Sequence, residues 1–135
     1  MNAGQVIGDN FWLWRADHSI GGASVTGGFY PCLHGLVVNG DSVAMYGLAA
    51  EHTLEDLTVW RGDKGATYFY QSELPYDVSE EAFGEAGYVG YRVDDAVTEH
   101  SVSPLICVFY FNWLLQSSSN GRSSDSYFAC SFCGC

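Results

Sequence analysis

Gly40-Asp41-Ser42-Val43-Ala44-Met45-Tyr46-Gly47-Leu48-Ala49-Ala50-Glu51 is echoed by Gly62-Asp63-Lys64-Gly65-Ala66-Thr67-Tyr68-Phe69-Tyr70-Gln71-Ser72-Glu73. The Gly-Asp pair, an alanine, a tyrosine and the closing glutamate each recur 22 positions on. Self-similarity at a fixed period of about 20–50 residues marks a solenoid, in which each repeat is one structural unit stacked on the next. Each unit ends in a carboxylate, so stacking predicts a column of acids.

A weaker echo extends both ways. Asp9 to His18 has the same plan of an Asp-led turn, an apolar run and an acid, and Asp95 to His100 repeats the ending. Asp17, Glu51, Glu73 and Glu99 follow at offsets of 34, 22 and 26, with a histidine after all but Glu73. The units read as strands. Val37, Val38, Val43, Thr58, Val59 and Thr67 to Tyr70 are β-branched or aromatic, in short runs punctuated by Gly or Asp. No stretch carries the 3.6-residue periodicity of a sizeable amphipathic helix.

Two architectures fit. The first is an all-β, right-handed parallel β-helix slab over residues 1–115, with about 22 residues per turn and a flexible, disordered Ser/Cys-rich tail over 116–135. The second is an antiparallel meander with hairpins at Asn39-Gly40 and Arg61 to Gly65, because Asn-Gly is a strong hairpin signal.

Strand alternation predicts which side chains face inward. It groups Tyr46, Leu48, Ala50 and His52, and then Tyr68, Tyr70, Ser72 and Leu74, on the more apolar, interior side. Glu51 and Glu73 fall on the opposite face, with Thr67 and Gln71. The histidines read as core-side residues.

Composition narrows the function. In 135 residues, 16 acids face 5 bases for a net charge of −11. That argues against nucleic-acid partners, which need a basic footprint, and against anionic membrane surfaces. The N-terminal segment lacks the pattern of a signal peptide. Leu105 to Leu115 is too short an apolar run to span a bilayer. Cys130, Cys133 and Cys135 lie close together, but structural zinc wants four ligands. No metal and no cofactor is expected. Cys32 and Cys107 read as core thiols.

Aromatic residues make up 16 per cent of the chain. Trp14, Trp60, Tyr70 and Tyr76 are candidate platforms for sugar rings, with Arg15 as a clamp, and polysaccharide or oligosaccharide is the expected partner. Glu73, Glu51, Asp17 and Asp77 are the candidate catalytic carboxylates. Two acids on adjacent coils are like charges held close, which readies one to donate a proton while the other stays ionised. This is the equipment of glycoside hydrolysis. A lyase would instead need a base beside a carboxylate-bound cation, and Arg15, Arg61 and Arg92 are the only such bases. Within the site, Glu73 is the leading candidate for general acid. Tyr70, Tyr76 and Asp77 lie around it in sequence.

A resemblance supports both readings. Ile7 to His18, Gly35 to Val43, Met45 to Leu48, Glu51-His52, Trp60 to Gly62, Thr67 to Asp77, Gly90 to Val93 and Tyr110 to Asn112 resemble a motif block in a secreted, tandem β-helix family of actinobacteria and eukaryotic microbes. Many of those relatives carry discoidin-type modules. Their architecture is similar to the family-55 glucanases and the pectate-lyase-like superfamily. The resemblance covers about residues 5–112 and departs from the family pattern in Ser19 to Thr26 and after Asp77. It implies a β-helix, an extracellular setting and an interior slab of a longer parent. The functional expectation is a polysaccharide-active β-helix protein with paired carboxylates. The alternatives are a non-catalytic glycan-binding or surface module, and a fragment without activity of its own.

Overall fold

The computed structural model describes residues 1–16, 30–76, 78–79 and 81–108, with 105–108 described by their backbone alone. The expectations for Asp17, Asp77 and the 116–135 tail fall outside the described residues. Among the described residues seven strands follow one another: β1 (Ile7–Trp14), β2 (Leu36–Val38), β3 (Ala44–Glu51), β4 (Thr58–Trp60), β5 (Gly65–Glu73), β6 (Tyr91–Val93) and β7 (His100–Val108). One short π-helical turn, Glu81–Glu85, lies between β5 and β6.

The strands alternate between two sheets. β1, β3, β5 and β7 form one, in that spatial order, and β2, β4 and β6 form the other. Every pairing is parallel. Parallel neighbours cannot be joined by a tight hairpin, so the chain leaves one sheet and visits the other before returning. Among the described residues the antiparallel alternative is therefore overturned. Asn39-Gly40 and Arg61 to Gly65 are corners between sheets.

The 22-residue echo is the β3–β5 register itself: Ala44 pairs with Ala66, Tyr46 with Tyr68 and Glu51 with Glu73. The corners stack as the strands do. The Asp63 amide donates to Asp41 Oδ1 at 2.8 Å. Asp63 in turn accepts from the amides of Thr98 and Glu99, and from the Thr98 hydroxyl. These bonds, the Glu99 amide foremost, hold the Asp63 carboxyl below its ordinary pKa. The neighbouring corner approaches so closely that a Cβ on Gly62 would meet the Gly40 carbonyl oxygen at 1.9 Å. Only glycine fits there.

The outer echoes are displaced from their expected register. Trp14 lies opposite Glu51, because β1 and β3 are offset by 37 rather than 34. His100 opens β7 opposite Gly65, and Val108 is the partner of Glu73, so Glu99 does not join the acid column. Insertions of unequal length between strands make these outer spacings unreadable from the acids alone.

The core fills the space between the sheets with Val38, Val43, Met45, Leu48, Ala50, Leu57, Trp60, Tyr70, Phe83 and Tyr91. Each large apolar side chain removed from water stabilises the fold by about 1.5–3 kcal/mol. Several polar side chains inside are linked by hydrogen bonds into short chains. The Tyr70 hydroxyl reaches Thr58 Oγ1 and the Gly90 carbonyl, and the Tyr91 hydroxyl joins Thr67 and His100. Cys32 is exposed, which corrects its reading as a core thiol: it sits on the surface approach to β2.

Candidate carboxylate site

The outer face of the four-stranded sheet is built by a break in alternation. Asn10, Gly47 and Phe69 all have positive φ, of 55°, 68° and 63°. They occupy equivalent places, skipped by the strand register between Tyr46↔Tyr68 and Leu48↔Tyr70. A left-handed residue re-aims the strand as a bulge does. Before it, Met45 and Thr67 point in, and Tyr46 and Tyr68 point out, stacked with ring centroids 4.8 Å apart. After it, Leu48, Ala50, Tyr70 and Ser72 point in, while Glu51 and Glu73 stand on the outer face. Regular alternation assigned Tyr46 and Tyr68 to the interior. The sign of φ reverses that and puts aromatics and acids on one side.

Glu51 and Glu73 are register neighbours. Glu51 is buried and accepts at both oxygens: Oε2 from the Trp12 indole at 2.8 Å and Oε1 from the Gln71 amide at 3.2 Å. Glu73 is half-buried, and its Oε1 accepts from the Tyr76 hydroxyl at 2.6 Å. His52, with φ of +63°, turns its ring into this cluster. Its Nδ1 accepts from the Trp14 indole at 3.0 Å, its Nε2 lies 3.6 Å from Glu73 Oε1, and its ring packs on Tyr76. His52 is therefore buried, as read, but it belongs to the acid site. The signal was the Glu51-His52 doublet, and the left-handed backbone that uses it is not visible in sequence.

One ligand atom each from Glu51, His52 and Glu73 lies within 4.8 Å of the others, a set that could hold a divalent cation. Trp12 and Trp14 stack at the edge of the cluster, 6.1 Å between centroids, both with exposed ring surface. A pocket of about 280 Å³ adjoins them, lined by Asn10, Phe11, Trp12, Gly47, Phe69 and Gln71 among others. It shares Trp12 and Gln71 with the bonds to Glu51.

Of the residues read from sequence, Glu51, Glu73, Trp14 and Tyr76 come together here. Arg15 lies buried beneath, its Nε donating to the His52 carbonyl, so it supports the backbone at the site. Trp60 and Tyr70 are wholly buried between the sheets, which corrects their reading as sugar platforms: both project into the core. Trp12 reads from sequence only as a further ring platform, and Gln71 carries no signal; that both hold Glu51 is traceable only to their lying two residues from Trp14 and Glu73.

A second carboxylate cluster lies beyond β4. Asp56, buried, takes a two-pronged contact from Arg92 and accepts from the Val89 amide at 2.9 Å. The Asp56 hydrogen bond raises the Arg92 pKa above its ordinary value.

Comparison with known proteins returns one architecture. The family model described as the LAM55 pectate lyase-like domain matches residues 1–73. The chain is 37% identical over 116 residues to an exo-β-1,3-glucanase of Streptomyces sp. (strain SirexAA-E / ActE), covering 83% of this chain and 19% of that protein. It is similar to the structure of sacteLam55A from Streptomyces sp. SirexAA-E, with a TM-score of 0.74 and 37% identity over 82% of this chain and 20% of that one. A glutamate-to-alanine variant of that protein, in complex with glucose, superposes equally well at 36% identity. The chain thus spans about a fifth of the length of these relatives.

Proposed function

The chain belongs to the LAM55 pectate lyase-like domain family, and from that premise we propose that it is the carboxylate-bearing part of an extracellular glycoside hydrolase that cleaves β-1,3-glucan. The alternating parallel sheets are read as successive coils of a right-handed parallel β-helix, a slab of a longer solenoid. The observation that carries the functional reading is the adjacent pair Glu51 and Glu73 on the outer face, walled by Trp12, Trp14 and Tyr76.

The two acids differ in a way that suits two roles. Glu51 accepts at both oxygens, so neither is left to carry a proton toward substrate, and it serves as the ionised partner: general base or charge stabiliser. Glu73 accepts at Oε1 only, and its Oε2 has no partner among the described residues. That oxygen carries the proton given to the leaving glycosidic oxygen as the bond to the anomeric carbon breaks. The Trp12 and Trp14 rings supply apolar planes for the sugar. Asp17 and Asp77 remain candidates to complete the set.

Hydrolysis of β-1,3-glucan by the full chain, assayed as released sugar, tests this. Glu73→Gln keeps the shape and removes the donor. Turnover is expected to fall by about 10²-fold or more, with the cooperative unfolding transition unchanged. Unchanged turnover transfers the function to a non-catalytic glycan-binding module.

A further inference from the structure

His52 sits in a conformation that a non-glycine residue adopts at a cost. Its φ is +63°, its side chain is 2% exposed, and its carbonyl is fixed by Arg15. Strain of this kind persists only where the surroundings over-determine it. Here they do so from both sides of the ring.

An indole N–H can only donate. The Trp14 Nε1 contact at 3.0 Å therefore makes His52 Nδ1 an acceptor, and the one proton of the neutral ring resides on Nε2. Nε2 lies 3.6 Å from Glu73 Oε1, longer than a hydrogen bond but within the distance a site closes when substrate enters. The same Oε1 already accepts from Tyr76.

From this arrangement the geometry points to a role for His52, resting on the acid reading of Glu73: it is a positioning residue that selects which Glu73 oxygen carries the catalytic proton. Two donors, Nε2–H of His52 and O–H of Tyr76, converge on Oε1. A proton on Oε1 would oppose them, so it sits on Oε2. When Oε2 gives that proton to the leaving oxygen, the carboxylate left behind is met at Oε1 by both donors. His52 neither gains nor loses a proton in the step. Trp14, read first as a sugar platform, also sets the tautomer.

The test uses leaving groups. An alcohol leaving from a β-1,3-gluco-oligosaccharide needs a proton, whereas 2,4-dinitrophenolate leaving from its β-glycoside does not. His52→Asn tolerates the left-handed backbone and keeps an acceptor for Trp14 but loses the donor at the Nε2 position. It should lower kcat on the oligosaccharide by about 10-fold or more and on the dinitrophenyl glycoside by no more than about 3-fold. His52→Gln, whose amide nitrogen reaches the Nε2 position, should recover much of the loss.

Equal losses on both substrates in His52→Asn, while Glu73→Gln keeps the leaving-group dependence, would overturn the role of His52 alone. Equal losses in Glu73→Gln would sink the acid reading and this one with it. Independently of activity, ¹⁵N spectra of histidine-labelled wild-type protein should show His52 as the Nε2–H tautomer. An Nδ1–H tautomer overturns the proposal.

Discussion

Two carboxylate clusters, one around Asp56 and one around Glu51 and Glu73, are built on different principles. Asp56 is gripped by a guanidinium and a backbone amide. Its charge is neutralised on the spot and ties β4 to β6 and the preceding turn. Glu51 and Glu73 are held by an indole, an amide and a phenol, with an imidazole alongside. Among the described residues no Lys or Arg pairs with either. A carboxylate fixed by a permanent cation is set in one protonation state, whereas carboxylates held by neutral donors can exchange protons during a reaction. Burial and acidity alone do not separate the two. The chemistry of the partners does.

The two clusters should respond most differently to an isosteric amide swap at each. Glu51→Gln should reduce turnover on β-1,3-glucan by about 10²-fold or more and shift the urea midpoint little. Asp56→Asn should do the reverse: it leaves Arg92 without its anion and should cost about 2–3 kcal/mol of stability, measured by urea denaturation at neutral pH. Equal effects of the two on stability would show that the clusters are the same kind of site.

Next in size is Gly47→Val. A β-branched residue at φ of +68° is strained, and its Cβ would meet Asn10 Oδ1 at 3.0 Å. A loss of about 1–3 kcal/mol is expected, with reduced activity as the floor of the pocket beside Glu51 shifts. Wild-type stability in this variant would show that the left-handed position is not needed to present the acid face.

The last test is a pH dependence that arises in the core. Burial against Trp60 and Tyr91 pushes His100 down to about 4 from 6.5. The unfolded chain therefore binds a proton more readily than the folded one between those values. Stability is full above pH 6.5, declines as pH falls from 6.5 to about 4, and this contribution levels off below. His100→Gln should flatten that part of the stability profile, followed by thermal melts across the range. A profile unchanged by the substitution would place the slope on other groups.

The sequence carried the parts of this fold that repeat. The Gly40/Gly62 echo predicts the β3–β5 register residue for residue, and with it the pairing of Glu51 and Glu73. It failed where repetition fails. Glu99 was matched to the acid column by its spacing, but a longer insertion before β7 keeps it out of that register, and on β1 the partner of Glu51 is Trp14. The Tyr46 and Tyr68 faces were inverted because nothing in the letters Gly47 and Phe69 declares the sign of φ. Asp56 and Arg92 are 36 residues apart, and no pattern joins them. Trp60 and Tyr70 looked like sugar platforms because ring chemistry is the same inside and out. Only burial separates the two uses.

The left-handed residues at Asn10, Gly47 and Phe69 have a further effect. Tyr46 and Glu51 stand five positions apart, as do Tyr68 and Glu73, and an odd spacing along an extended strand places two side chains on opposite faces. One inverted backbone angle in each of β1, β3 and β5 acts as a frameshift without an inserted residue. It changes which of the following side chains meet water while leaving hydrogen-bonded neighbours in step. In a structure made by copying, the orientation of a whole column can thus be rewritten by a single torsion, provided every copy makes the same turn at the same place.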